Sequence, residues 1–395
     1  MGTARVYLGG RRGLPLRKIG TALMLGVVPV ALTMPGGDIA LGQPSTGTGA
    51  QIPLFTAINL HPPGFTTSYA LGVSGGQQVG VGITSEYRIH ALLWRGSAAS
   101  AVELTPSRWN AEVHGVCGGQ QVGYGDGPGT AGTAHALLWH GSAGSMVDLN
   151  PKGFTGSAAF GISGGQQVGD GNGHALLWRG SAASVVDLHP DGFTFSQALA
   201  TSGAEQVGFG NVSRGGTDYH HALLWHDSAA SVVDLHPRGF RSTEADGTSG
   251  GQQVGYGDGP ATGAYPGTGP ITFHDHALLW RGSAASVVDL NPPGFISSSA
   301  QAANGEEQVG SGWGPATHDE GHALLWRGSA ASVVDLHTFL PPGFVRSSAL
   351  AVDAAGDVVG SASTVTGPAG DDYAFLWKRN LPEAGPVRQK NITRC

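Results

Sequence analysis

The chain has 395 residues, 67 of them glycine, with 12% charged and 40% hydrophobic residues and a formal net charge of −7. This composition excludes a disordered polyampholyte and a helical membrane bundle, and points to a turn-rich β protein. The acidic balance, with no Lys/Arg run beyond the N-terminal segment, also speaks against nucleic acid as a partner, since phosphate contacts reward a basic patch.

At the N-terminus, Arg5, Arg11, Arg12, Arg17 and Lys18 precede an apolar stretch from Ile19 to Leu32, and the small residues Ala40 and Gly42 follow. That order reads as a signal peptide over residues 1–42, cleaved after Gly42, with a linker over 43–54. The apolar run falls short of the ~20 residues a membrane span needs. Pro29 interrupts it. The mature chain is therefore expected to lack a transmembrane segment and to be secreted, extracellular or periplasmic. Cys117 and Cys395 are the only 2 cysteines, too few for a disulfide scaffold, and read as incidental.

The motif HALLW begins at His90, His135, His174, His221, His276 and His322, and a seventh copy reads YAFLW from Tyr373. Successive copies start 39 to 55 residues apart, the size of propeller blades, and no 3.6-residue apolar period supports helices. The third unit divides into four strand-like pieces at 157–163, 166–169, 174–178 and 184–188. Four antiparallel strands per unit make a blade, so the fold class is an all-β, seven-bladed β-propeller over residues 55–378, with a loose tail over 379–395.

In the first strand small residues recur at alternate positions, as at Ser68, Ala70, Gly72 and Ser74, which predicts one thin face where blades converge on the axis. Glycine pairs such as Gly75 and Gly76 supply the hairpin. HALLW is apolar throughout, as a strand buried on both faces should be. Its tryptophans, Trp94, Trp139, Trp178, Trp225, Trp280, Trp326 and Trp377, read as inter-blade core rather than as ligand-stacking groups. The seventh unit lacks the VVDL strand of the others, while an orphan FTAINLH at 55–61 precedes the first. That segment is expected to close the ring as the last blade's missing strand.

A small-residue strand, a turn, a Gln-Val-Val-Gly-like strand and a His-Ala-Phe-Leu-Trp-like strand together resemble the extracellular HAF repeat family, over residues 55–378. Six units carry Leu where that family has Phe, and the seventh has Tyr in place of His. The resemblance implies a propeller fold and export, and no established activity.

Hairpin turns and RGSAAS connectors are nearly invariant between units, whereas the second-to-third strand connections differ: 83–89, 126–134, 170–173, 211–220, 258–275, 313–321 and 361–372. Variable loops on a rigid frame nominate that face for binding. GxSxG patterns around Ser74, Ser163 and Ser249 are hairpin turns, because a nucleophile elbow needs a helix after the turn. The HALLW histidine reads as a strand-edge group bonded within its blade. The LHP histidines (61, 189, 236, 337), exchanged for Asn at 150 and 291, read as turn caps.

Non-repeated residues are the better candidates. His274, Asp275, His318, Asp319 and Glu320 bring metal-ligand types into loops of adjacent blades, with Asp258 opening the longest loop and Trp313 positioned to stack on a sugar or aromatic ligand. For His274, Asp275, His318 and Asp319 a divalent metal is one reading and a solvated polar loop the other; no cofactor is expected. The leading functional reading is a non-enzymatic binding scaffold for a protein, glycan or cell-surface component. The alternatives are a metal-assisted polysaccharide lyase or hydrolase at the channel mouth and a purely structural surface repeat.

Overall fold

A computed structural model describes residues 54–264, 273–364 and 371–380. The segments expected as signal peptide (1–42), nearly all of the expected linker and most of the expected tail lie outside these residues. The chain forms seven four-stranded antiparallel sheets arranged as the blades of a propeller. Blades are numbered here by their HALLW unit. In blades 1 to 6 the strands run in chain order from the inner to the outer, as in blade 3 with Ser157–Ser163, Gln166–Gly171, His174–Trp178 and Val186–Asp187.

Blade 7 closes as the sequence implies. Its inner three strands are Phe344–Val352, Val358–Thr364 and Asp372–Arg379, and its outer strand is Phe55–Asn59, paired in register from Phe55 opposite Arg379 to Asn59 opposite Phe375. The third strand thus continues one residue past 378. This outer strand has five residues where those of the other blades have two, because the others must first turn through RGSAAS. In that connector the Ser184 hydroxyl accepts the Arg179 amide at 2.7 Å and donates to the Ser181 carbonyl at 2.6 Å. A single 3₁₀ turn, Ala182–Ser184, therefore takes the place of the first part of the strand expected over 184–188.

The seven repeat tryptophans are each 0% exposed and pack in the clusters between adjacent blades. The expected thin face is corrected by a β-bulge that interrupts every inner strand. In blade 1 Ala70 opposes Gly80 and Gly72 opposes Val79, so Leu71 is an extra residue and Ala70 and Gly72 point to opposite faces. The bulge also accounts for the glycine of the QVG motif. A Cβ on Gly80 would lie 1.9 Å from the Tyr69 carbonyl oxygen. At Gly72 a Cβ would lie 2.6 Å from the His114 carbonyl of the next blade, so small residues are needed here by close backbone approach between blades.

One polar relay joins the blades. At the junction of blades 3 and 4, Ser196 Oγ accepts the buried amide of Ala175 at 2.9 Å and donates its own proton to His189 Nδ1 at 2.8 Å, while His189 Nε2 donates to the Phe193 carbonyl at 3.1 Å. The carbonyl can only accept, so the neutral imidazole carries its proton on Nε2. Asn performs the same two tasks: Asn150 Oδ1 accepts from Ser157 at 2.7 Å and Nδ2 donates to Phe154 at 3.1 Å. This equivalence explains why LHP and LNP interchange. At the junction of blades 1 and 2 both partners change together. Ala111 has no hydroxyl, and Thr105, standing where His or Asn otherwise stands, accepts the Ala91 amide itself at 2.7 Å.

The HALLW histidines bond within their blades, as His174 to Asp187 at 2.8 Å, and three of them stack on the LHP histidine, at 3.9 Å between ring centroids for His221 and His236. Cys117 is 8% exposed at the end of an inner strand. Cys395 lies outside the described residues.

Two outcomes are expected. Ser196→Ala leaves the Ala175 amide without its acceptor and should cost about 1–3 kcal/mol in urea unfolding, whereas Ser196→Thr, which copies Thr243 in blade 5, should be tolerated. Burial, then the neighbouring His221, lowers the pKa of His236 to about 4, and burial lowers those of His61, His189 and His337. The unfolded chain therefore binds more protons at these sites. Their contribution to stability is complete above the unfolded value of 6.5 and drains as pH falls toward 4. Replacing all four by Asn should flatten the pH dependence of the unfolding midpoint over that window relative to the parent; parallel curves would show that they do not set it.

Candidate functional site

The two ends of the propeller differ in construction. At one end the hairpin turns meet the RGSAAS connectors, where the Gln78 side chain accepts the Gly96 amide at 2.7 Å, an arrangement repeated in blade after blade. At the other end the variable loops meet the LHP connections, as where the Ala261 amide donates to Gly239 and that of Ala316 to Gly294, both at 3.1 Å. Three of the variable loops open on a shared turn that the sequence reading passed over. In G-P-x-T at 127–130, 259–262 and 314–317, the threonine hydroxyl accepts the glycine amide at 3.1 to 3.2 Å.

The polar residues that break the repeat gather where blades 4 and 5 meet. Strand register sets Asp258 directly opposite Asp275, and a facing pair of like charges opposes pairing rather than helping it. Arg241 answers one of them by an ion pair to Asp258, and its guanidinium lies 5.2 Å from the centroid of Phe273. Deeper on the inner strand Ser242–Ser249, Glu244 is 4% exposed. It accepts from His220 Nδ1 of blade 4 and from the Tyr256 hydroxyl. Phe209 stacks on His220 at 4.6 Å, fixing the ring from behind. His220 belongs to the single doubled unit, HHALLW, a signal present in the sequence but not followed.

Crowding governs the titration of this group. Burial first, then Asp258 and Glu244, push the Asp275 carboxyl up to about 6, although the residue keeps an open surface at the mouth. Burial also raises Asp258 against the pull of Arg241. One blade back, burial pushes Asp170 up to about 6 while the Gln197 amide, donating at 2.9 Å, works against it. Burial, then Asp372, raises the Tyr69 hydroxyl, which donates to Asp372 at 2.5 Å across the closing junction.

A second polar group lies on blades 2 and 3. Tyr124 donates to Glu112 at 2.8 Å, His114 Nε2 lies 3.2 Å from the same carboxylate oxygen, and Phe160 meets both rings edge-on. His114, Phe160 and Asp246 all occupy the extra position of the inner-strand bulge, with Leu71, Leu199, Gln301 and Leu350 as their counterparts. The bulge positions, on the strands nearest the axis, are thus Leu in three blades and polar or aromatic in the other four.

Of the sequence candidates, Asp258 and Asp275 enter the group at blades 4 and 5, with His274 beside them, its pKa lowered by burial and then by His276. The others stand in blade 6. Trp313 ends the strand Gln308–Trp313, partly buried, its carbonyl accepting the Ile296 amide at 2.8 Å. His318 and Asp319 are exposed at φ of 54° and 62°, and Glu320 pairs with Arg346 of blade 7. His274, Asp275, His318 and Asp319 do not gather: among the described residues no three His, Cys, Asp or Glu side chains form a metal-ligand group. Trp109, a second tryptophan outside HALLW, packs with the core at the blade 1 and 2 junction.

No family profile and no curated protein sequence matches this chain. Among solved structures, it is similar to the β-propeller domain of the Trilobed protease from Pyrococcus furiosus, at a TM-score of 0.48 and 11% identity over 82% of this chain and 100% of that one. A puromycin hydrolase S511A mutant complexed with PGG gives 0.45 and 12% over 78% of this chain, and an acylaminoacyl peptidase from Pyrococcus horikoshii gives 0.43 and 12% over 81%. This chain spans 53% of each of the latter two.

If the carboxylates of the blade 5 pair are coupled as described, the Asp275 carboxyl should titrate near 6 in ¹³C NMR and move down in Asp258→Asn. An unchanged midpoint would show that Asp258 has no part in raising it.

Proposed function

We propose that this protein is an exported, non-enzymatic binding scaffold that takes its ligand at the variable-loop end, over the junction of blades 4 and 5. One observation carries the reading. The repeat positions are consumed by core packing, turns and the inter-blade relay, while the largest departures from the repeat, in loop length and in unshared polar side chains, lie in the loops of one end and on the inner strands beneath them. Scaffold and recognition are thereby separated in the sequence as binding on a rigid frame requires. The cluster offers carboxylate acceptors at Asp258 and Asp275, with the Arg241 guanidinium alongside. That mixture suits a hydroxyl-rich or amine-bearing ligand such as a glycan. The resemblance to the HAF repeat family and the N-terminal segment support export to the cell surface or beyond.

A second reading, a lyase or hydrolase, draws on the Asp275 carboxyl, which at about 6 is suited to exchanging a proton near neutrality.

Glycan-array and pull-down binding of the whole chain should be lost or weakened at least about tenfold in Arg241→Ala and in a variant with loop 258–275 shortened, and should survive Trp313→Ala less well than the parent. Equal retention by the parent and the loop variant would overturn the assignment of this end. Turnover of a bound glycan that disappears in Asp275→Asn would replace the scaffold by the enzyme.

A further inference from the structure

The residue that follows the third-strand tryptophan is basic in every blade: Arg95, His140, Arg179, His226, Arg281, Arg327 and Lys378. All seven are exposed, at the hairpin and connector end, opposite the variable loops. The other repeat-wide residues around them have structural work. The tryptophan fills the core, the glutamine accepts a connector amide and the serine closes the turn. The basic side chain has none that is common to the blades. Arg327 is paired with Glu307, and Arg179 lies 3.5 Å from Asp227, whereas Arg95, Arg281 and Lys378 have no ion-pair partner among the described residues. What persists through the exchange of Arg, His and Lys is the basic character and not a shape, in a chain whose net charge is −7. The turns of blades 1 to 3 at this end, residues 74–78, 95–101, 117–121, 140–146, 163–167 and 179–185, contain no Asp or Glu at all.

We propose that this end binds an extended acidic polysaccharide, which lies along the arc from Lys378 through Arg95 and His140 to Arg179. The cations Lys378, Arg95 and Arg179, set on separate blades, fit a polymer with many anionic groups; a small anion would need several cations converging on one point. The end offers Ser, Gly and Gln beside the cations. Of the large hydrophobic residues exposed in the described chain, Leu54 and Val102 border this end singly, at 38% and 36% exposure, and Tyr87 stands in a variable loop, so this end carries no apolar patch that would anchor in a bilayer. Bound this way, the protein turns its variable loops away from the polymer and leaves them free.

Polygalacturonate serves as the probe, with neutral dextran and phosphatidylglycerol vesicles beside it, and with the whole chain as parent. The parent should bind polygalacturonate and not dextran, losing affinity steeply between ~50 and ~200 mM salt through counterion release. The triple variant Arg95→Glu, Arg179→Glu, Lys378→Glu should bind about tenfold or more weaker. A control with Lys152→Glu and Arg108→Glu, exposed at the opposite end away from the junction of blades 4 and 5, should stay within about twofold of the parent. Parent and variants share the same termini, so the difference reads the arc alone, and unchanged near-UV circular dichroism excludes misfolding. The proposal is overturned if the triple variant keeps the parent's affinity, or if the parent binds the vesicles in preference to the polysaccharide.

Discussion

The hydroxyl that accepts a buried amide at every junction between blades is the contact on which this architecture depends. A third strand buried on both faces has one amide, that of the HALLW alanine, which its own sheet leaves without a partner, and a buried amide without an acceptor costs about as much as a good contact contributes. At six of the seven junctions the next blade meets that need with a serine or threonine, whose own proton goes to His or Asn in the connecting segment, and at the junction of blades 1 and 2 Thr105 of the connection meets it directly. A single side chain thus ties together a third strand, a connection and an inner strand. Because each partner needs the others in place, the blades are held in one mutual orientation, which apolar packing of tryptophans alone would define less sharply.

That rigidity allows like charges to be held together at the mouth. Asp258 opposite Asp275 is an arrangement that the sheet would not choose for its own stability, and the raised carboxyl of Asp275 records the cost. The twin group at Glu112 and Tyr124 keeps its carboxylate bonded on two sides and lacks a facing pair of this kind. The asymmetry between two blades that share QVGYGDGP arises from the residues beside it: Arg241 and Asp275 in blade 5, where blade 2 has Trp109 and Thr133-Ala134.

Much of the frame was legible in the sequence because its signals are local and repeated. Seven HALLW-like units gave the blades, and the orphan FTAINLH gave the closure through its likeness to the strand that the last unit lacks. The bulge was not legible, since alternation of small residues looks the same whether or not Leu71 is an extra residue; only the register with Val79 and Gly80 reveals it. The site was half legible. Asp258, His274 and Asp275 were marked by their loop, but Glu244 reaches His220 across a blade boundary, 24 residues away, and neither residue announces the other. The joint departure of Thr105 and Ala111 from the repeat was visible in the sequence, yet it acquires meaning only when Thr105 is seen to accept the amide that Ala111 cannot.

The outer strand of blade 7 sets a condition on how the molecule comes into being. Phe55–Asn59 pairs with Asp372–Arg379, so a strand made early waits for one made some three hundred residues later. Until then the growing protein is an open arc with an unpaired sheet edge at each end, the state most exposed to joining another chain. Circularity is thus a property of the finished polypeptide alone: each blade can dock on its predecessor as it emerges, but the ring forms in one terminal, long-range event, the slowest kind of contact for a chain to make.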